Sequence, residues 1–162
     1  MAGSMLFPAG EIYFHDNSIC ESGCLNEECY NVLQEADVCL LIGTLQYFLN
    51  YKDLLNEIGT AGVEYVYITR TIINDSVNTF YTRQYIASNR GMHKDIVIGD
   101  IPVAVINHLD LNQFMNKTGY ITCLDLFQTD YSSQFDNFEN PYNKVQYRDI
   151  LYKSDQKGRK IN

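Results

Sequence analysis

The chain has 162 residues, 46% of them apolar and 20% charged, which suits one globular domain and excludes bulk disorder. Twelve Lys and Arg face twenty Asp and Glu, a formal charge of −8, the wrong sign for a surface that neutralises phosphates, so nucleic acid is excluded as a main partner. No apolar run approaches the ~18–20 residues of a membrane span, and the start, Met1-Ala2-Gly3-Ser4-Met5, lacks the basic and apolar regions of a signal peptide. This reads as a cytoplasmic chain whose five cysteines are free thiols rather than a disulfide framework.

Residues 1–5, two methionines around small residues, read as a vector remnant, residues 6–154 as a single α/β domain, and the charge-dense residues 155–162 as a flexible tail. Glu11–His15 is the first candidate strand. Asp37-Val38-Cys39-Leu40-Leu41-Ile42-Gly43 is a nearly unbroken apolar run, as in strands buried on both faces. The next segment places Phe48, Tyr51, Leu55 and Ile58 at helical spacing and is expected to stop at Gly59. Glu64–Arg70 is again β-branched and aromatic, so strand, helix and strand within about 30 residues predict a crossover between parallel strands.

The stretch Ile72–His108 mixes turn-forming Asn74-Asp75-Ser76, Asn89-Arg90-Gly91 and Gly99-Asp100-Ile101-Pro102 with short apolar pieces, and reads as a long irregular excursion over the sheet's upper edge. Asp110 is then a candidate N-cap for a helix over Leu111–Thr118, ended by Gly119. Tyr120–Phe127 and Val145–Tyr152 read as two strands around a polar loop with Pro141, an antiparallel pair at a sheet edge.

Three pieces carry a family resemblance: Gly43-Thr44-Leu45-Gln46-Tyr47 at the end of a buried strand, Arg70-Thr71 at the end of the next, and the closing helix, Gly119-Tyr120 and strand pair. Together, over roughly Glu11 to Ser154, they resemble the C-terminal portion of a bacterial family of S-adenosylmethionine-dependent methyltransferases found around surface-polysaccharide gene clusters. The resemblance implies a partial Rossmann-like sheet, mostly parallel with an antiparallel C-terminal strand pair, lacking the family's first two strands. It implies S-adenosylmethionine as cofactor, held by Asp16, Asn17, Gly43 and Thr44. It also implies a small-molecule or saccharide acceptor lined by Gln46, Tyr47, Arg70 and Thr71. Its glycine-rich cofactor turn is missing, because no two of the ten glycines are separated by a single residue. Methyl transfer is therefore expected to be absent or weak, with a non-catalytic binding or assembly module as the alternative. A sheet lacking two strands would leave an edge to be covered, by direct pairing of the first strand with Asp37–Ile42, by the N-terminal segment or by a homodimer.

Each candidate has a plainer alternative. Gln46 and Tyr47 could simply begin a helix, and Arg70 could pair with one of the acidic residues. Arg70 is otherwise suited to a bidentate clamp on a carboxylate or phosphate. His15 beside Asp16 is a poor dyad, since neighbours on a strand point to opposite faces. His93 and His108 are candidate general bases without a partner recognisable in the sequence. Cys20, Cys24 and Cys29 have one C-x3-C step and no second pair, so no metal site is expected.

Overall fold

The computed structural model describes residues 31, 33–88, 96–128 and 138–155, with the backbone alone for 85–88 and 96–100. The expected strand Glu11–His15, the sites Asp16 and Asn17, His93, the cysteine trio, and the proposed remnant and tail up to Met5 and beyond Asp155 lie outside these residues. Six strands form one mixed sheet: β1 (Val38–Ile42), β2 (Tyr65–Asn74), β3 (Phe80–Ser88), β4 (Ile96–Asn107), β5 (Tyr120–Phe127) and β6 (Val145–Ser154). Two α-helices, α1 (Tyr51–Ala61) and α2 (His108–Lys117), and one 3-10 turn (Leu45–Tyr47) connect them.

β2 organises the sheet. On one edge its first half pairs in parallel with β1, Val38 opposite Tyr65 through Ile42 opposite Thr69. Its last two residues pair in parallel with β4, Ile73 opposite Ile106 and Asn74 opposite Asn107. Its other edge pairs antiparallel with β6. The crossover through α1 thus forms as the apolar strands and intervening helix predict, and β5 and β6 form the expected antiparallel pair.

The expectation of a mostly parallel, Rossmann-like sheet is corrected. β2–β6, β3–β4 and β5–β6 are all antiparallel, against two parallel pairings, one of them only two residues long. The main cause lies in the stretch expected to be irregular. Residues Phe80–Asn107 hold a long antiparallel hairpin, β3 on β4. Val103, Ala104, Val105 and Ile106 in it are all buried. Pro102 is tolerated because there β4 pairs with β3 alone among the described residues, and an edge position does not need the missing N–H.

A bulge in β2 between Ile68 and Thr71 shifts its register against β6, and Arg70 within it takes a left-handed φ of 53°. One inserted residue exchanges the two faces of a strand. Val66 and Ile68 before the bulge and Ile73 after it therefore share one core, with Leu54, Leu55 and Ile58 of α1, Leu111 and Met115 of α2, and Ile150 and Tyr152 of β6. Ile72 turns the other way and packs with Val103 and Val105 of β4. The first half of the sheet has an open second face: Leu40 and Ile42 of β1 and Leu126 of β5 are each 52% exposed.

Both helix boundaries differ from expectation by chain chemistry at the ends. α1 runs through Gly59 and ends at Gly62, whose φ of 84° supplies the left-handed C-terminal residue. Asn107, not Asp110, caps α2, its side chain accepting the Asp110 N–H at 2.9 Å. Asp110 instead accepts Lys52 Nζ and Tyr51 Oη.

These two glycines separate helix propensity from backbone strain. A Cβ at Gly59 meets only ordinary contacts, Tyr120 at 3.5 Å and Thr118 at 3.9 Å, whereas Gly62 has open space and a positive φ. Gly59→Ala is expected to stabilise the protein and Gly62→Ala to destabilise it, each by about 1 kcal/mol in urea denaturation. A stabilising Gly62→Ala would contradict the assigned helix end.

Candidate functional site

In open sheets with parallel strands, ligands collect where the strands end at their carboxyl side. β1, β2, β4 and β5 all run in one direction, set by their parallel pairings and by the antiparallel β6 between β2 and β5. Two groups of polar side chains lie at these ends.

The first follows β1. Gly43 has φ 61°, and its N–H donates to Thr69 O at 2.8 Å. A Cβ there would stand 3.6 Å from Arg70 Cβ, so two left-handed residues lie side by side where β1 ends and β2 bulges. The structure thereby brings together Gly43 and Arg70, two residues the family resemblance singles out. Thr44 is the N-cap of the 3-10 turn but its hydroxyl caps nothing, and Thr44 Oγ1 is buried with no hydrogen-bond partner among the described residues. Gln46, 4% exposed, likewise has its Oε1 buried and unpartnered. Tyr47 Oη donates to Gln84 Oε1 at 2.9 Å, and Tyr81 Oη to Leu49 O at 2.9 Å, so β3 holds this turn down from outside. Thr71 is fully buried and its hydroxyl donates back to Thr69 O across the bulge at 3.5 Å. It shapes the strand break rather than facing a ligand.

Beside the bulge, Thr69 donates to Asp149, and Gln128 donates to both Thr69 and Asp149. Burial, then the Asp149 charge, pushes the Tyr67 hydroxyl up from its ordinary range.

The second group is a charged network that sequence reading did not assemble. His108, at the β4–α2 junction, places Nδ1 3.2 Å from Asp75 Oδ1 and Nε2 2.7 Å from Asp125 Oδ2. Arg148 on β6 reaches Asp75 at 2.7 Å through Nη2 and Asp125 at 2.8 Å through Nη1. Its guanidinium lies 4.1 Å from the centre of the Phe127 ring. Its side chain is only 7% exposed, yet Nε has no partner among the described residues. Asn112, one helical turn after His108, contacts His108 Nε2 and accepts Tyr152 Oη. Burial, then Asp125, raises the Tyr152 hydroxyl, so it stays a neutral donor.

His108 was visible in the sequence as a histidine without a partner. Its partners come from β2, β5 and β6, far apart in the chain. One signal was present: Arg148, Ile150 and Tyr152 alternate along β6, and a charge at a core-facing position of a strand must be compensated.

No group of three His, Cys, Asp or Glu able to hold a metal occurs among the described residues. Likewise, no helix among them is long and apolar enough to cross a membrane. No protein-family model, curated protein or solved structure matches the chain.

Removing one partner from a buried ion network leaves its charge uncompensated, which costs about 3–5 kcal/mol when the network is fully buried. Asp125 is 24% exposed, so Asp125→Ala is expected to lose about 2–3 kcal/mol in urea denaturation at low salt. A loss below about 0.5 kcal/mol would reduce the network to surface pairing.

Proposed function

We propose that this chain binds a small molecule bearing hydroxyl or amine groups at the turn after β1, as the acceptor-binding part of a methyltransferase-like protein. It does not itself hold S-adenosylmethionine tightly. The observation that carries this reading is the pair of buried oxygens without partners, Thr44 Oγ1 and Gln46 Oε1. An unpaired buried polar atom costs ~1–3 kcal/mol, and a ligand offering donors that opened this turn would satisfy both. The resemblance of Gly43–Tyr47 and Arg70 to the methyltransferase family supports the same place and a polar acceptor. The lack of any Gly-x-Gly in the sequence supports weak cofactor binding, because that turn is what lets a cofactor approach the backbone.

A second reading rests on a separate observation. Leu40 and Ile42 of β1 and Leu124 and Leu126 of β5 are 39–52% exposed, on strands separated by β2 and β6. Exposed apolar side chains on sheet strands mark interaction sites where they cluster, and an assembly module would use these, with a second copy of the chain as the simplest partner.

Thr44→Val and Gln46→Leu remove the unpaired oxygens at nearly constant volume, so each is expected to leave stability unchanged or raise it by up to ~1 kcal/mol. A loss above ~1 kcal/mol would show that the oxygens are already satisfied and would sink the ligand reading. Isothermal titration with S-adenosylmethionine is expected to show no micromolar binding, and micromolar affinity would overturn the claim about the cofactor. For the second reading, light scattering should show a dimer that Leu126→Glu dissociates; a monomer at every concentration would exclude it.

A further inference from the structure

Three side chains from two elements converge on the Asp75 carboxylate. Arg148 Nη2 of β6 donates to Oδ2 at 2.7 Å, and Gln146 Nε2, two residues earlier on the same strand face, donates to the same oxygen at 2.7 Å. His108 Nδ1, at the start of α2, stands 3.2 Å from Oδ1. An arginine, an amide and an imidazole converging on two oxygens are what a protein offers a bound oxyanion. Here the oxyanion belongs to the chain.

Asp75 is not needed where it sits for the local backbone. The bend after β2 is fixed by its neighbour, since Asn74 Oδ1 accepts the N–H groups of Ser76 at 3.2 Å and Val77 at 2.9 Å. Asp75 itself is 44% exposed, on the solvent side, while Arg148 behind it is 7% exposed. The donors are thus built into buried or half-buried strand and helix positions, and the acceptor is carried on an exposed bend. Asp125 holds the other side of both side chains, standing 2.8 Å from Arg148 and 2.7 Å from His108. Arg148 Nε also remains buried and without a partner among the described residues, so the two carboxylates do not satisfy the whole guanidinium.

We propose that Arg148, His108 and Gln146 form a binding site for a small oxyanion, a phosphate or carboxylate group, which the Asp75 side chain occupies in the free protein. Asp75 acts as an internal competitor. A ligand anion displaces it outward, and the Asn74-anchored bend allows this without unfolding the strand end. The site lies at the carboxyl ends of β2, β4 and β5 and shares no residue with the turn after β1, so it stands or falls independently of the proposed acceptor site.

The test uses the full chain as wild type, Asp75→Ala and Asp75→Ala/Gln146→Ala, titrated with inorganic phosphate and with acetate against sodium chloride of equal ionic strength. Removing the competitor is expected to tighten phosphate or acetate binding at least ~10-fold over wild type, the equivalent of one charge-assisted hydrogen bond. The anion should also raise the melting temperature of Asp75→Ala where chloride does not. Binding of phosphate alone assigns a tetrahedral ligand, and binding of acetate assigns a carboxylate; either supports the site. Should Asp75→Ala fold only with phosphate or acetate present, that rescue supports it equally. If no anion distinguishes Asp75→Ala from wild type, or if the added Gln146→Ala leaves anion affinity unchanged, the proposal is overturned.

Discussion

A ten-residue strand has one row of backbone hydrogen-bonding groups along each edge, and how β2 divides that row governs the rest of the molecule. β1 takes the first half and β4 only the last two residues. The bulge at Arg70 separates the two. A strand bending at this point cannot keep both neighbours in one flat ladder. The gap between the end of β1 and the pairing with β4 is where the 3-10 turn Leu45–Tyr47 lies, with Leu45 fully buried. The opposite edge is continuous enough for β6 to run the full length of β2, and β6 delivers Arg148 to the carboxyl end of the sheet.

The same bulge sets the composition of both faces. Before it, even-numbered residues of β2 face the helices, and after it odd-numbered ones do, which is why Ile68 and Ile73 meet in one core. Ile72 is left to a second, smaller cluster with β4. The first cluster carries α1 and α2. The second ties the β3–β4 hairpin to the sheet and, through Tyr47 packed against it, holds the turn in which the unpaired oxygens lie.

Elements with a single dominant signal were legible in the sequence. The apolar run over Val38–Ile42 and the β-branched run from Tyr65 specify strands whatever their neighbours do. The amphipathic spacing between them specifies α1. Helix ends were less legible, because Gly59 and Gly62 look alike in a sequence and only the backbone decides which turns left-handed. The hairpin escaped because Asn, Gly, Asp and Pro punctuate it. These residues signal turns locally, yet Val103–Ile106 is buried enough for tertiary packing to override them. That hairpin contributes one of the three antiparallel pairings that make the sheet mostly antiparallel. Of the site, Gly43 was legible at the end of β1, whereas Arg70, expected to end its strand, lies inside β2 at the bulge. The Asp75–His108–Asp125–Arg148 network was not, because its members meet only when four elements are assembled.

Native-state hydrogen exchange of the β2 amides tests the central place of that strand most directly. Val66, Ile68 and Ile73 are expected to exchange only through global unfolding, while amides of β3, which pairs with β4 alone among the described residues, exchange through smaller openings. Exchange of the β2 amides ahead of those in β3 would contradict the account.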